Sequence, residues 1–141
     1  EVTGHPRLEL WVSTLEEDGE FFVYLDEVRP NGEVFYVTEG MLRAQHREVA
    51  AERAEYRSGG TPRTFRTGDV TPLETKAPNL VMTDLLPTSY EFRAGSRIRV
   101  ALATADVDNF AVMPGEGQRY AIEIGADFAT RMVLPVRGAG K

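Results

Sequence analysis

His5 and His46 are the only imidazoles in the 141-residue chain, so proton transfer by a group titrating near neutral pH would have to use one of them. A serine nucleophile needs such a base within hydrogen-bond reach. On the α/β-hydrolase fold it also needs a G-x-S-x-G elbow that lifts its hydroxyl clear of the strand. Ser58 precedes Gly59-Gly60 and Ser96 follows Gly95, but neither has the flanking glycine pair of an elbow. His46 lies in Arg43-Ala44-Gln45-His46-Arg47, between two arginines. The expectation is a histidine making a local hydrogen bond at a strand end, and a chain without catalytic residues.

Two other chemistries are open to these residues. Asp106, Asp108 and Asn109 place three oxygen-bearing side chains within four positions, a donor set suited to calcium. The same residue types commonly satisfy the backbone of their own turn, which favours a loop without metal, and no other pattern implies a cofactor. Trp11, Tyr24, Phe35 and Tyr36 have ring faces on which a sugar could stack, against the more ordinary role of filling or covering a sandwich core. A third reading is an interface. Phe110-Ala111-Val112-Met113 is an apolar run in a loop flanked by Asp108-Asn109 and Pro114-Gly115, and Trp11 lies on the opposite parity from Leu8. Trp11, Phe110, Val112 and Met113 are therefore the candidate docking residues.

The elements that must position these residues are short strands. Leu8, Leu10 and Val12 alternate with Glu9, Trp11 and Ser13 over residues 8–14, ahead of the acidic turn Glu16-Glu17-Asp18-Gly19. Residues 21–28 and 34–38 predict a hairpin closed by Arg29-Pro30-Asn31-Gly32, whose Pro, Asn and Gly supply the backbone angles of a tight turn. Gly40, isolated in the returning strand, predicts a bulge or a close backbone approach. Residues 44–57, rich in Ala, Glu, Arg and Gln, suggest a helical turn or two before Ser58-Gly59-Gly60, and residues 58–79 a surface connection. Further strands are expected at 80–85, 97–104, 120–124 and 132–136. In the second of these Ile98, Val100 and Leu102 should form a buried face opposite Arg97, Arg99, Ala101 and Ala103, after a break at Pro87. Seven or eight short strands without strand and helix alternation predict an all-β antiparallel sandwich or jelly roll.

Composition bounds the partners. The length suits one domain, residues 1–141, and no apolar run approaches the roughly 18 residues of a membrane span. With 16 basic and 22 acidic residues the net charge is −6, and the basic residues are scattered, so nucleic acid is not an expected partner. The chain has no cysteine, which fits a reducing compartment such as the cytoplasm. It begins at Glu1, without methionine or a charged and apolar leader, and we expect a fragment of a longer protein.

Five segments carry a family resemblance in one order: EVTGHPRLELWVST (1–14), FFVYLDEVRPNGEVFYVTEGMLRAQHRE (21–48), PRTFRTGDVTPL (62–73), LLPTSYEFRAGSRIRVALA (85–103) and MVLPV (132–136). Together they resemble the C-terminal non-catalytic domain of the X-Pro dipeptidyl-peptidase and cocaine-esterase type of bacterial acyl hydrolases. The resemblance implies a galactose-binding-like jelly roll, of a kind that can carry structural calcium, placed after an α/β-hydrolase domain that holds all three residues of a Ser, Asp, His triad. It also implies that the domain starts before Glu1, leaving some N-terminal strands outside this chain. Ser96 stands where many relatives carry His in the form AGHRIRV. The function implied is architectural. This domain would pack on the hydrolase domain of its parent, shape the active-site entrance and support contacts in a homo-oligomer. The alternative from a different class is a carbohydrate-binding module presenting Trp11.

Overall fold

The computed structural model describes residues 1–51, 59–113 and 117–138. Among them nine strands form: β1 (Val2–Gly4), β2 (Arg7–Thr14), β3 (Glu20–Val28), β4 (Val34–Arg43), β5 (Asn79–Asp84), β6 (Thr88–Tyr90), β7 (Arg97–Ala103), β8 (Tyr120–Ile122) and β9 (Arg131–Val133). Every pairing is antiparallel. In one sheet β2 is central, with β5 on one side and β8 and β9 sharing the other. In the second, β3 lies between β4 and β7, and β1 and β6 form a separate two-stranded ribbon. This is the all-β antiparallel sandwich expected.

Alternation decides which side chains meet between the sheets. Leu8, Leu10, Val12 and Thr14 are the buried row of β2, and Val81 and Thr83 continue it on β5. Phe21, Val23 and Leu25 face them from β3, with Leu42 and Ala44 from the chain beyond. Each fully buried aliphatic here contributes roughly 1.5–3 kcal/mol relative to exposure, so the two central strands hold most of the apolar stabilisation. Phe21 also meets Tyr120 edge-on at 5.2 Å. Burial, followed by the charges of Glu16, Asp18 and Glu20, pushes the Tyr120 phenol up to about 12.

The β3–β4 hairpin closes where expected. The Arg29 amide donates to the Glu33 carbonyl at 2.9 Å, the Asn31 side chain accepts from the Glu33 amide, and Gly32 takes a φ of +86°. The bulge falls at Val37, the extra residue between the Leu25–Thr38 and Asp26–Tyr36 pairs. Gly40 sits in regular register with Val23, and its role is the close approach. A Cβ there would lie 2.5 Å from the Asp84 carbonyl oxygen and 2.9 Å from the Leu85 Cα. Two bonds lock that crossing, from the Leu86 amide to the Glu39 carbonyl at 2.7 Å and from the Thr38 hydroxyl to the Leu86 carbonyl at 2.9 Å.

Several elements differ from the sequence reading. The helical expectation reduces to a 3-10 turn, Ala44–His46, with residues 52–58 outside the described residues. The chain does not stay irregular after Pro87, because β6 follows at once and pairs with β1. Both strands are three residues long and take their partners from distant segments, which leaves no local period to read. The last two strands are shorter than expected, their ends reduced to isolated bridges, Ile124 with Ala129 and Val136 with Val2. Residues 59–78 hold only a 3-10 turn, Thr67–Asp69, and run over the surface, pinned by Arg63 to the Met82 carbonyl and by buried Leu73. In β7, Ile98, Val100 and Leu102 do oppose the inward row of β3, but the expected buried face is substantially exposed because β7 is the outermost strand of its sheet. No helix among the described residues is long and apolar enough to cross a membrane.

Glu27 ends the inward row of β3 and is fully buried. Its carboxylate accepts from the Arg93 amide at 2.7 Å, the Tyr90 hydroxyl at 2.8 Å and Arg29 Nε at 3.4 Å. The Arg93 amide above all, helped by Tyr90 and Arg29, outweighs the upward push of burial and holds the carboxyl at about 2. An unfolded chain returns it to about 4.5, so this group stabilises the fold above that pH, and the contribution is lost as pH falls from about 4.5 through about 2. Glu27→Gln should therefore lower the urea midpoint at pH 7, with the gap from wild type closing over that window. Gly40→Ala should cost roughly 1–3 kcal/mol in the same titration at pH 7, because backbone rather than a flexible side chain occupies the space.

Candidate functional site

The outer face of the β4–β3–β7 sheet carries the most structured surface feature. Register places Phe22 opposite Met41 and Ala103, and Tyr24 opposite Glu39 and Ala101, so all six share that face. The two alanines leave room for the loop after β7, whose Phe110 packs on Phe22 with ring centroids 5.2 Å apart. Asp106 shapes the loop. Its carbonyl accepts from the Phe110 amide at 2.8 Å, and its carboxylate takes Asn109 Nδ2 at 3.0 Å on both oxygens and the Tyr24 hydroxyl at 3.4 Å. Between loop and sheet lies a groove of about 200 Å³ lined by Phe22, Tyr24, Glu39, Met41, Asp106 and Phe110, among others. Burial, followed by the charges of Asp106 and Glu39, raises the Tyr24 phenol, so it remains a neutral donor at physiological pH.

Trp11 lies on the outer face of the other sheet. Its parity is opposite that of Leu8, as the alternation of β2 requires, and it is half-buried by its own chain. Phe128 meets the indole edge-on at 5.0 Å, and the Trp11 backbone binds both the Thr130 hydroxyl and the Glu123 amide. Thus the structure does not bring the four docking candidates together. Phe110 is exposed at 41%, Val112 and Met113 are half-buried beside it, and Trp11 stands across the thickness of the sandwich. The ring faces suggested for sugar stacking are equally dispersed. Tyr24 lines the groove, Tyr36 opposes Asp26 on that face, and Phe35 stacks on Tyr90 at 5.6 Å beneath the Arg29 guanidinium. They form no continuous platform with Trp11.

The histidines and Ser96 stand apart in the fold. His5 Nδ1 lies 3.1 Å from the Leu85 carbonyl, His46 packs on the Phe65 ring at 5.5 Å, and the Ser96 hydroxyl is buried while its amide donates to the Arg93 carbonyl. Among the described residues neither histidine hydrogen-bonds a serine side chain, while Ser58 and residues 114–116 lie outside them. Nor do three His, Cys, Asp or Glu side chains converge as metal ligands among the described residues. Glu27 is the group that sequence reasoning missed. The signal was its parity, since Val23, Leu25 and Glu27 share the inward face.

Two antiparallel sheets packed face to face, with a two-stranded ribbon beside them, define the class of β-sandwich domains. The chain is a member of the X-Pro dipeptidyl-peptidase C-terminal non-catalytic domain family, whose model matches residues 1–127. Two mycobacterial proteins whose names give them as candidate serine esterases, from Mycobacterium bovis and Mycobacterium tuberculosis, are each 44% identical over 136 residues. Those matches cover 96% of this chain and 22% of each relative, so the chain spans about a fifth of their length. Two crystal structures of a CocE/NonD family hydrolase from Staphylococcus aureus share the fold. Their TM-scores are 0.75 and 0.76 at 21% and 20% identity, over 95% of this chain and 28% of theirs.

Asp106 gives this region a test. Asp106→Ala removes the acceptor for Asn109 and Tyr24, and we expect a loss of about 1 kcal/mol in thermal unfolding at pH 7. Millimolar calcium should leave the wild-type Tm unchanged, because the carboxylate is engaged by Asn109 and Tyr24. A rise in Tm that Asp106→Ala abolishes would instead mark the loop as a calcium site.

Proposed function

We propose that this domain is the architectural module of a larger serine hydrolase, an acyl esterase or X-Pro dipeptidyl-peptidase in type. It packs on the α/β-hydrolase domain, narrows the mouth of the active site and supports contacts between subunits. The observation that carries this reading is the 44% identity to candidate serine esterases over nearly the whole chain, in a segment that supplies about a fifth of their length. The parent chemistry would be acyl transfer to water through an acyl-serine intermediate, with every reacting group on the hydrolase domain. This domain contributes by positioning and water exclusion.

The separation of Phe110 and Trp11 supports two contacts, one on each outer face. The Phe110 loop, which also carries Val112 and Met113, suits the catalytic domain, since a loop can lean over a neighbouring entrance while the sheet behind it stays rigid. The Trp11 and Phe128 face suits a second subunit. In the full-length parent, Phe110→Ala should raise KM several-fold, with the oligomer size by light scattering unchanged. Trp11→Ala should shift the oligomer toward smaller species with little change in KM. Wild-type kinetics and wild-type size in both variants would overturn the proposal.

A further inference from the structure

The groove under the Phe110 loop combines aromatic walls with two carboxylates. Phe22, Tyr24 and Phe110 supply the rings, Glu39 and Asp106 the charges, and no basic side chain lines it among the described residues. Two arginines that share this sheet face are committed elsewhere. Arg43 Nε lies 2.7 Å from Asp18, and Arg99 holds Asp26 through Nε at 2.9 Å and Nη2 at 2.8 Å. Glu39 is half-buried, yet its carboxylate makes no ion pair among the described residues. It is also presented from a rigid base. The Glu39 carbonyl accepts from the Leu86 amide at 2.7 Å, and Gly40 beside it is pressed against the backbone of Asp84 and Leu85. After burial, the charges of Asp106 and then Glu39 raise the Tyr24 phenol, which places both carboxylates around one ring. Two like charges so placed favour a cation between them.

Size and shape choose the cation. Pockets that enclose a whole small ligand hold roughly 300–1,000 Å³. This groove, at about 200 Å³, suits the end of one long side chain. A guanidinium stacks flat on aromatic rings and presents its donors in one plane, so it can bridge two carboxylates where an ammonium acts as a point charge. Met41 and Phe110 at the opening are 47% and 41% exposed, apolar surface that a protein would cover and a small solute would not. We infer that this groove receives one arginine side chain from the catalytic domain of the parent hydrolase, stacked on Tyr24 and paired with Glu39 and Asp106. This contact deepens the reading that the Phe110 loop faces the catalytic domain, and rests on it. Asp106 can take part while it holds its own loop, because Asn109 and Tyr24 leave a lone pair of Oδ1 free. Glu39 brings the charge that no other residue shares.

Arginine modification by phenylglyoxal in the full-length parent, mapped by peptide mass spectrometry, tests this. One arginine outside residues 1–141 should resist the reagent in the wild type. Glu39→Gln keeps the shape of the side chain and removes its charge. It should make that arginine react roughly tenfold faster, the change expected on losing one charge-assisted contact. Met41→Arg offers a rival guanidinium from the rim of the groove and should expose the same arginine with Glu39 intact. Unchanged arginine reactivity in both variants would overturn the inference. So would a change confined to lysines, read by acetylation, or to an arginine within residues 1–141, the mark of a second copy. The entrance role is read separately, through the KM of Phe110→Ala. Wild-type KM there, with arginine protection that depends on Glu39, would sink the entrance role and keep the contact, and the reverse pattern would sink the contact alone.

Discussion

One buried carboxylate ties together the elements at one end of this sandwich. Glu27 stands at the end of the inward row of β3, where an unpaired charge would be disfavoured, and three donors from three different segments satisfy it. Arg29 begins the hairpin turn, Tyr90 ends β6, and Arg93 lies in the turn that starts β7. The same group thus fixes the hairpin, the β1–β6 ribbon and the entry of β7, and through Tyr90 it fixes the stack with Phe35 and the edge contact with Phe92. Losing any one donor weakens the compensation of a buried charge that the other two share, which couples the three segments.

The two central strands show the complementary strategy. β2 is amphipathic in the ordinary manner, buried on one side and carrying Trp11 and charged residues on the other. β3 is buried on both faces for most of its length, because Phe110 covers Phe22 and Arg99 pairs with Asp26 at 2.8 Å on the outer side. The sandwich therefore has a third, partial layer over one sheet, formed by the loop that Asp106 organises. That layer makes the outer face of β3 a shaped surface with a groove, while the outer face of β2 carries a single aromatic pair. An architectural module that touches different neighbours on its two sides is consistent with that asymmetry.

Sequence alternation was sufficient for β2, for the hairpin and for the class of fold, because these depend on side-chain period and on turn residues such as Asn31 and Gly32, all of which are local. Gly40 was legible as either a bulge or a point of close approach, and what decides for the second, the backbone of Asp84 and Leu85, lies more than forty residues away and has no local signature. β1 and β6 were invisible for the same reason. The reading of β7 was half right in an instructive way. The period put Ile98, Val100 and Leu102 on the core side, but burial depends on what lies beyond the strand, which a period cannot report. At the candidate site, parity placed Trp11 correctly outside, whereas its cover by Phe128, 117 positions later, depended on the fold. The apolar run at Phe110 was recognised, but not that Phe110 already caps its own sheet.

Trp11 has a spectroscopic consequence. It is the chain's single tryptophan, so the indole emission of this domain arises from one site on the outer face of β2, against the edge of Phe128 and within reach of solvent. Its colour and lifetime depend on the polarity of whatever lies over that face. The domain consequently carries a built-in optical probe of its own surroundings, and neither dye nor label is needed to see that face become dry.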